Sequence, residues 1–210
     1  MDAARITVLR EALAGTPWLE RAHGFAGALR GSVTRASAPP DGLLLVGTPG
    51  EEPWHLAAHL DDEAAWSGLP QLSPVLVRRV VPPGAPPHLS VPMRRLERAR
   101  RGETVFVVAP DRADGGLLER VHGARKAGAT VLALGADRDD RELHGLAHES
   151  LTVPGAGEGS TPVGGALTLD VVQHLVSSAA GEGPGTAGRG RRALSRLLDR
   201  LSTPAPPMRW

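Results

Sequence analysis

Short apolar runs alternate with helical segments through the middle of the chain. Apolar runs without polar alternation are typical of strands that are buried on both faces of a parallel sheet. We predict five such strands, at residues 43–46, 75–81, 105–109, 130–134 and 150–153. The intervening segments predict helices at about residues 54–65, 117–126, 140–147 and 166–180. Strands that alternate with helices predict an α/β fold, a three-layer αβα sandwich around a mostly parallel five-stranded sheet.

The two ends of the chain have patterns of their own. Apolar residues at helical spacing over residues 3–32 predict two helices, with a break at Gly15-Thr16-Pro17. Residues 181–190 are rich in Gly and predict a flexible linker. A short basic amphipathic helix is predicted over residues 191–202, before a Pro-rich end. We therefore expect an α/β domain with N-terminal helices over residues 1–180 and a tail over residues 181–210.

Composition excludes several classes of function. The 210 residues can bury a core without disulfides, and the absence of Cys excludes disulfides, thiolate metal sites and thiol catalysis. A net charge of +1 gives no overall field for nucleic acid. Because neither a signal sequence nor a long apolar run is present, we expect a cytoplasmic protein that binds no membrane.

Two predicted loops lie where a ligand would bind. Ligands of parallel sheets bind beyond the carboxyl ends of the strands, and here residues 47–53 and 110–116 follow two of those ends. A phosphate site needs backbone N–H groups at a helix N-terminus, Gly for close approach, and hydroxyl groups. The candidate ligand-binding residues are Gly47, Thr48, Gly50, Asp111, Arg112, Asp114 and Gly115.

Acidic residues in these loops also have structural interpretations. Glu51 and Glu52 precede a predicted helix, where they stabilise the helix dipole. Asp114 is expected to be the N-cap of the helix that begins at Gly115. Neither loop contains G-x-G-x-x-G or a Walker A lysine, so we expect no nucleotide and no other cofactor.

Residues 104–154 resemble the sugar isomerase (SIS) domain. In that family a strand leads into a Ser-rich phosphate loop, and the following helix ends near Ala-Lys-x-Gly-Ala; here residues 124–129 are Ala-Arg-Lys-Ala-Gly-Ala. The resemblance implies a parallel βαβ unit and a homodimer whose sites are shaped by both subunits. The family's Ser-x-Ser-Gly-x-Thr loop is not kept. Its signature positions fall on Ala109, Asp111, Arg112 and Asp114.

A second segment is similar to the phosphoheptose isomerase branch of the family. His55-Leu-Ala-Ala-His59-Leu matches a His-x-Ala-Ala-Glu-Leu segment whose Glu is the catalytic base. The resemblance places His59 at the base and His174 at a partner His on the last helix. A neutral imidazole can accept a proton near pH 7, as aldose-ketose isomerisation requires.

Two further patterns have structural interpretations that we favour over functional ones. His55/His59 and His144/His148 have the i, i+4 spacing of helical metal ligands, but no His-Glu-x-x-His sequence is present and we predict no metal site. The Arg-rich residues 94–101 could contact RNA or an acidic partner. Because the chain has only four Trp and two Phe to stack on bases, we expect a solvated basic face there.

These observations give three hypotheses. The first is a non-catalytic SIS-like module that binds a small sugar phosphate or related polar metabolite, or acts as a regulatory or scaffold homodimer. The second is an aldose-ketose sugar-phosphate isomerase that uses His59 and His174, and the third is an interaction module that uses the Arg-rich helix. Four carboxylates surround the predicted phosphate position, so we expect no isomerase activity: Glu51, Glu52, Asp111 and Asp114.

Overall fold

The computed structural model describes residues 13, 15–35, 37–81, 83–84, 91–136, 140–153 and 167–182. Its strands are β1 (Leu43–Gly47), β2 (Val75–Arg78), β3 (Val91–Pro92), β4 (Thr104–Ala109), β5 (Thr130–Gly135) and β6 (Glu149–Thr152). Its α-helices are α1 (Pro17–Val33), α2 (Trp54–Ser67), α3 (Gly115–Lys126), α4 (Arg141–Leu146) and α5 (Leu169–Gly181). Two short 3₁₀ helices span Pro70–Leu72 and Met93–Arg98.

All six strands form one parallel sheet in the order β3-β2-β1-β4-β5-β6. This confirms the predicted α/β class, with six strands where five were expected. The chain first builds outward from β1 through β2 to β3, and then returns to build outward on the other side from β4 to β6. The boundary between β1 and β4 is therefore the topological switch point, where sheets of this order form a crevice.

The sheet differs from the prediction at one edge. The sequence predicts a strand over residues 75–81 and a helix in the Arg-rich segment, but β2 ends at Arg78, and β3 is followed by a 3₁₀ helix over Met93–Arg98. β3 is only two residues long, which is too short to produce a recognisable period. Pro92 cannot donate a ladder hydrogen bond and is tolerated there because β3 is an edge strand.

Side chains from alternate strand positions fill two separate cores. On one face, Leu45 and Phe106 pack with the apolar sides of α1, α2 and α5. The rings of Phe25 and Phe106 lie 5.5 Å apart between centroids. On the other face, Val107 packs with Leu117 and other apolar residues of α3 and α4. Burial on both faces explains why the strands are continuous apolar runs.

Some predicted elements lie outside the described residues. These include the first N-terminal helix over most of its length, and the linker, basic helix and Pro-rich end of the tail from residue 183 onward. The second N-terminal helix is α1, which begins at Pro17 as the predicted break requires. Across the described ranges, no helix combines the length and apolar character that a bilayer crossing needs.

Candidate functional site

The two predicted ligand loops leave the sheet side by side at the switch point. Gly47, the last residue of β1, is paired with Val108 of β4. The loops that follow the two strands therefore both begin at the carboxyl ends of the strands, next to each other. The hydroxyl of Thr48 donates a hydrogen bond to Oδ1 of Asp111. A methyl group added at Gly50 would lie 2.8 Å from Oδ2 of the same carboxylate. The structure therefore brings Thr48, Gly50 and Asp111 together.

The loop after β1 folds back tightly on the strand. A side chain at Gly47 would collide with the backbone carbonyl of Glu51, and the Glu51 N–H donates to the Thr48 carbonyl at 3.3 Å. Thr48 itself is only 3% exposed. Only Gly fits at position 47, because any Cβ there meets backbone that cannot move aside without opening the turn.

Backbone N–H groups of the loop after β4 donate to the chain's own carboxylates. Asp114 is the N-cap of α3, as predicted, and accepts from the Leu117 N–H at 3.2 Å. The Ala113 N–H donates to Asp140 at 2.9 Å, and the other oxygen of Asp140 caps α4. A ligand phosphate would have to compete for these donors with carboxylates that are already in place.

Two arginines at the end of β2 neutralise two of the four loop carboxylates. The guanidinium of Arg78 binds Glu52, with a shortest N···O distance of 2.8 Å, and lies 4.5 Å from the ring centroid of Trp54. Arg79 makes two hydrogen bonds to Asp114, at 2.9 and 3.1 Å, and these hold the pKa of Asp114 below its ordinary value. Neither arginine is among the site residues predicted from the sequence, although both follow the apolar residues of a strand that neighbours β1.

Three other carboxylates near the crevice have no such partner among the residues described. Neither Arg nor Lys forms an ion pair there with Glu51, Asp111 or Asp170. Partial desolvation raises the pKa of Glu51, and the charges of Asp170 and Asp111 raise it further, while His55 opposes them. The acids Asp170 and Asp111 therefore disfavour the ionised form of Glu51. Asp170, in the first turn of α5, was not among the predicted site residues.

The remaining predicted ligand residues lie on the outer side of the second loop. Arg112 and Gly115 are exposed, and Gly115 is the first residue of α3. Within the described part of the chain, Arg112 has no carboxylate partner. It is the one cation among residues 110–116, whose other charged side chains are Asp111 and Asp114.

The two histidines that the isomerase hypothesis requires are in contact. The rings of His59 on α2 and His174 on α5 meet edge to face, with centroids 4.0 Å apart. Burial, followed by the charge of His59, lowers the pKa of His174 to about 4, and burial lowers the pKa of His59. Both imidazoles are neutral at pH 7. His55 lies one turn earlier on α2 and is exposed.

The other histidine pair does not share a helix face. α4 ends at Leu146, so it contains His144 but not His148. Nδ1 of His148 accepts a hydrogen bond from the Val131 N–H at 2.9 Å, which gives this side chain a structural role. Within the described ranges, no three His, Asp or Glu side chains are grouped to hold a metal ion.

The Arg-rich segment forms ion pairs with its own domain. Arg95 binds the buried Glu103, which also accepts from the Arg100 N–H at 2.8 Å. Glu97 pairs with Arg120 of α3 at 3.1 Å. Arg95 therefore stabilises the packing of the 3₁₀ helix against the sheet and is not available to a partner.

Comparison with known proteins gives similarity in structure only. No protein-family model and no curated protein matches the chain. The NanR protein of Vibrio vulnificus, solved in complex with ManNAc-6P, has a TM-score of 0.49 and 13% identity; the match covers 85% of this chain and 60% of NanR. An RpiR transcription factor of Sphaerobacter thermophilus has a TM-score of 0.48 and 20% identity, with 85% and 87% covered.

The second of these structures is a sugar isomerase domain. That is the family which residues 104–154 resemble in sequence. Both TM-scores lie below 0.5, and the chain spans 60% of the length of NanR.

Proposed function

We propose that this chain is a non-catalytic SIS-like module that binds a small sugar-derived metabolite, a sugar phosphate or a related polar compound, in the crevice between β1 and β4. The observation that carries the proposal is the meeting of Thr48, Gly50 and Asp111 at the switch point. Doubly wound sheets bind their ligands at this switch point, where a few polar groups converge. The sequence resemblance supplies the sugar-like class of ligand.

We expect no catalysis because of how the loop carboxylates and the candidate base, His59, are placed. Enolisation needs the substrate held rigidly while a base removes the proton, because orientation supplies much of the rate. Here the loop amides at Ala113 and Leu117 already donate to carboxylates. His59 lies five residues into α2, about 8 Å along the helix from its first residue. We therefore expect the loops to hold a substrate phosphate too weakly for isomerisation at His59.

A thermal-shift screen tests the binding proposal. A ligand that binds only the folded state at about 100 times its dissociation constant stabilises the protein by roughly 2.7 kcal/mol, enough to raise the melting temperature by several degrees. The screen uses neutral sugars, amino sugars and sugar phosphates on the full chain. Thr48→Val is the matched variant, because it keeps the side-chain shape and removes the hydroxyl. A compound that stabilises the protein equally with and without the Thr48 hydroxyl binds elsewhere.

Isomerase activity is the second candidate, favoured by the contact between His59 and His174. Two neutral imidazoles at pH 7 meet the requirement for a general base. Turnover of an aldose phosphate that disappears in His59→Ala, with the fold intact, would establish the isomerase and remove the non-catalytic proposal. We expect no turnover above background.

SIS domains usually pair, so the resemblance leads us to propose a homodimer in which the second copy contributes to the crevice. We also propose a cytoplasmic location, which the sequence led us to expect. Light scattering at micromolar concentration tests the dimer. A monomeric mass would mean that each crevice is complete within one chain.

A further inference from the structure

Exposed cations surround the amino ends of two central strands. Thr104 and Thr130, the first residues of β4 and β5, are paired with each other, and Thr104 is also paired with Leu43 of β1. This end of the sheet is opposite to the crevice, which lies at the carboxyl ends. We call the exposed cations in the segments next to these strand starts the basic surface. It consists of Arg35, Arg98, Arg100, Arg101 and Lys126.

Contacts between distant segments of the chain bring these cations together. A Cβ at Gly128 would lie 3.3 Å from the Cβ of Arg101, so the residues that follow α3 lie against the turn before β4. Lys126 is the last residue of α3. Arg35 follows α1, and its Nη1 lies 3.5 Å from Oγ1 of Thr130. Three segments that are separate in sequence therefore contribute to one surface.

The cations of the basic surface are not bound to carboxylates. Across the described ranges, none of the five forms an ion pair with Asp or Glu. The acid nearest to them in the chain, Glu103, is buried, and it binds Arg95 and the N–H of Arg100. The five charged groups are therefore available to a partner.

Exposed acids at this end of the sheet are fewer than the cations. Asp41 precedes β1, Glu149 begins β6 and Glu182 follows α5. The acids of α2 belong to a helix that packs on β2, which is two positions away from β4 in the sheet. The surface around the starts of β4 and β5 therefore has an excess of positive charge, although the net charge of the whole chain is only +1.

The chemistry of the basic surface indicates the class of partner. Guanidinium groups bind phosphate oxygens with two parallel hydrogen bonds. Protein and membrane partners are held largely by apolar or aromatic side chains, and single-stranded nucleic acid needs aromatic rings on which bases stack. The large apolar side chains that are exposed in the described chain lie on α2 and after β2: Trp54, Trp66 and Val80. A duplex backbone, in contrast, can be bound by positive charge alone.

We propose that the basic surface binds the phosphate backbone of double-stranded nucleic acid without sequence specificity. The inference goes beyond the proposed function and does not depend on it, because the crevice lies at the other end of the sheet. Residues 94–101 by themselves predict a solvated face. The fold adds Arg35 and Lys126 to this face and removes Arg95, which is bound to Glu103.

Fluorescence anisotropy tests the proposal in the full chain. The probes are two labelled DNA duplexes of unrelated sequence and an RNA duplex, each of about 20 base pairs. If about four phosphates are contacted, affinity should fall roughly a hundredfold between about 50 and 200 mM salt. The two DNA duplexes should bind equally. Tighter binding of either the DNA or the RNA duplexes identifies the natural partner, and both results support the proposal.

Single charge removals locate the binding surface. Arg101→Gln and Lys126→Gln each remove one cation of the basic surface. Arg141→Gln is the matched control, because Arg141 is exposed at the start of α4, at the carboxyl end of the sheet. Each variant of the basic surface should lower affinity about tenfold at low salt and reduce the salt slope by about one. The control should bind as the wild type does.

Four results would overturn the proposal. Unchanged binding in both Arg101→Gln and Lys126→Gln would place the duplex elsewhere on the chain. An equal loss in Arg141→Gln would mean that only the net charge matters. The other two are the absence of duplex binding at about 50 mM salt and tighter binding of a polyglutamate peptide, which would identify an acidic protein as the partner. None of these results concerns the crevice, so the proposed function would stand.

Discussion

His59 and His174 meet edge to face at 4.0 Å between ring centroids, where α2 packs on α5. His174 is only 8% exposed. The contact joins two helices of one layer through two titratable rings, neither of which can be charged without cost. It therefore links the stability of this layer to pH.

The pH dependence of unfolding should report this pair. Burial and the charge of His59 lower the pKa of His174 from 6.5 to about 4, so between those values the unfolded chain binds a proton that the folded chain does not. Stability is then fully present above pH 6.5 and decreases as the pH falls towards 4, by roughly 3 kcal/mol in all. Chemical denaturation at pH 7.5, 6, 5 and 4 measures it.

His174→Gln is the control for this titration, because Gln keeps a polar side chain of similar length that does not titrate. We expect its stability to change less than that of the wild type between pH 6.5 and 4. His23→Gln, which removes an exposed histidine on α1, should leave the wild-type dependence in place. Equal pH dependence in wild type and His174→Gln would contradict the assignment.

Asp114 should contribute to stability both as a cap and as the partner of Arg79. Asp114→Ala removes both roles and should cost about 1–2 kcal/mol. Asp114→Ser keeps an N-cap oxygen for the Leu117 N–H and loses only the exposed ion pair, so its cost should be below about 1 kcal/mol. Urea denaturation of the three proteins measures both steps. Identical losses would mean that the cap contributes nothing.

Gly47 should tolerate no side chain. Gly47→Ala places a Cβ against the Glu51 carbonyl and should cost roughly 1–3 kcal/mol through displacement of the loop. Gly24→Ala on α1 is the comparison, because nothing lies within 4 Å of its added Cβ and the helix should gain up to about 1 kcal/mol. Thermal unfolding distinguishes the two. A neutral Gly47→Ala would mean that the turn opens freely.

Asp140, the N-cap of α4, should be more costly to remove than Asp114. It is 2% exposed and accepts from the N–H groups of Ala113 and Leu143, thereby joining the loop after β4 to the start of α4. Asp140→Ala leaves two buried donors unpaired and should cost on the order of 2–4 kcal/mol. Hydrogen exchange at those two amides should rise locally, and unchanged exchange would show that water replaces the carboxylate.

The pattern of apolar residues along the chain predicts the class of fold. Strands buried on both faces are apolar throughout, so β1, β4 and β5 could be predicted from their continuous apolar runs. Contacts between residues close in the chain could also be predicted. The N-cap that Asp114 provides for α3 is an example. β3 could not be predicted, because two residues are too few to show a pattern of apolar positions. Its place at the edge of the sheet depends on its pairing with β2.

The pairing of charged groups at the site depends on the three-dimensional fold. Glu52 and Asp114 looked equivalent to Glu51 and Asp111 in sequence, yet Arg78 and Arg79 neutralise the first pair and leave the second unneutralised among the described residues. These partners are separated from the acids by 26 and 35 positions in the chain. Electrostatic energy depends on distance in space, and that distance is set by the order of the strands in the sheet, which no local pattern contains.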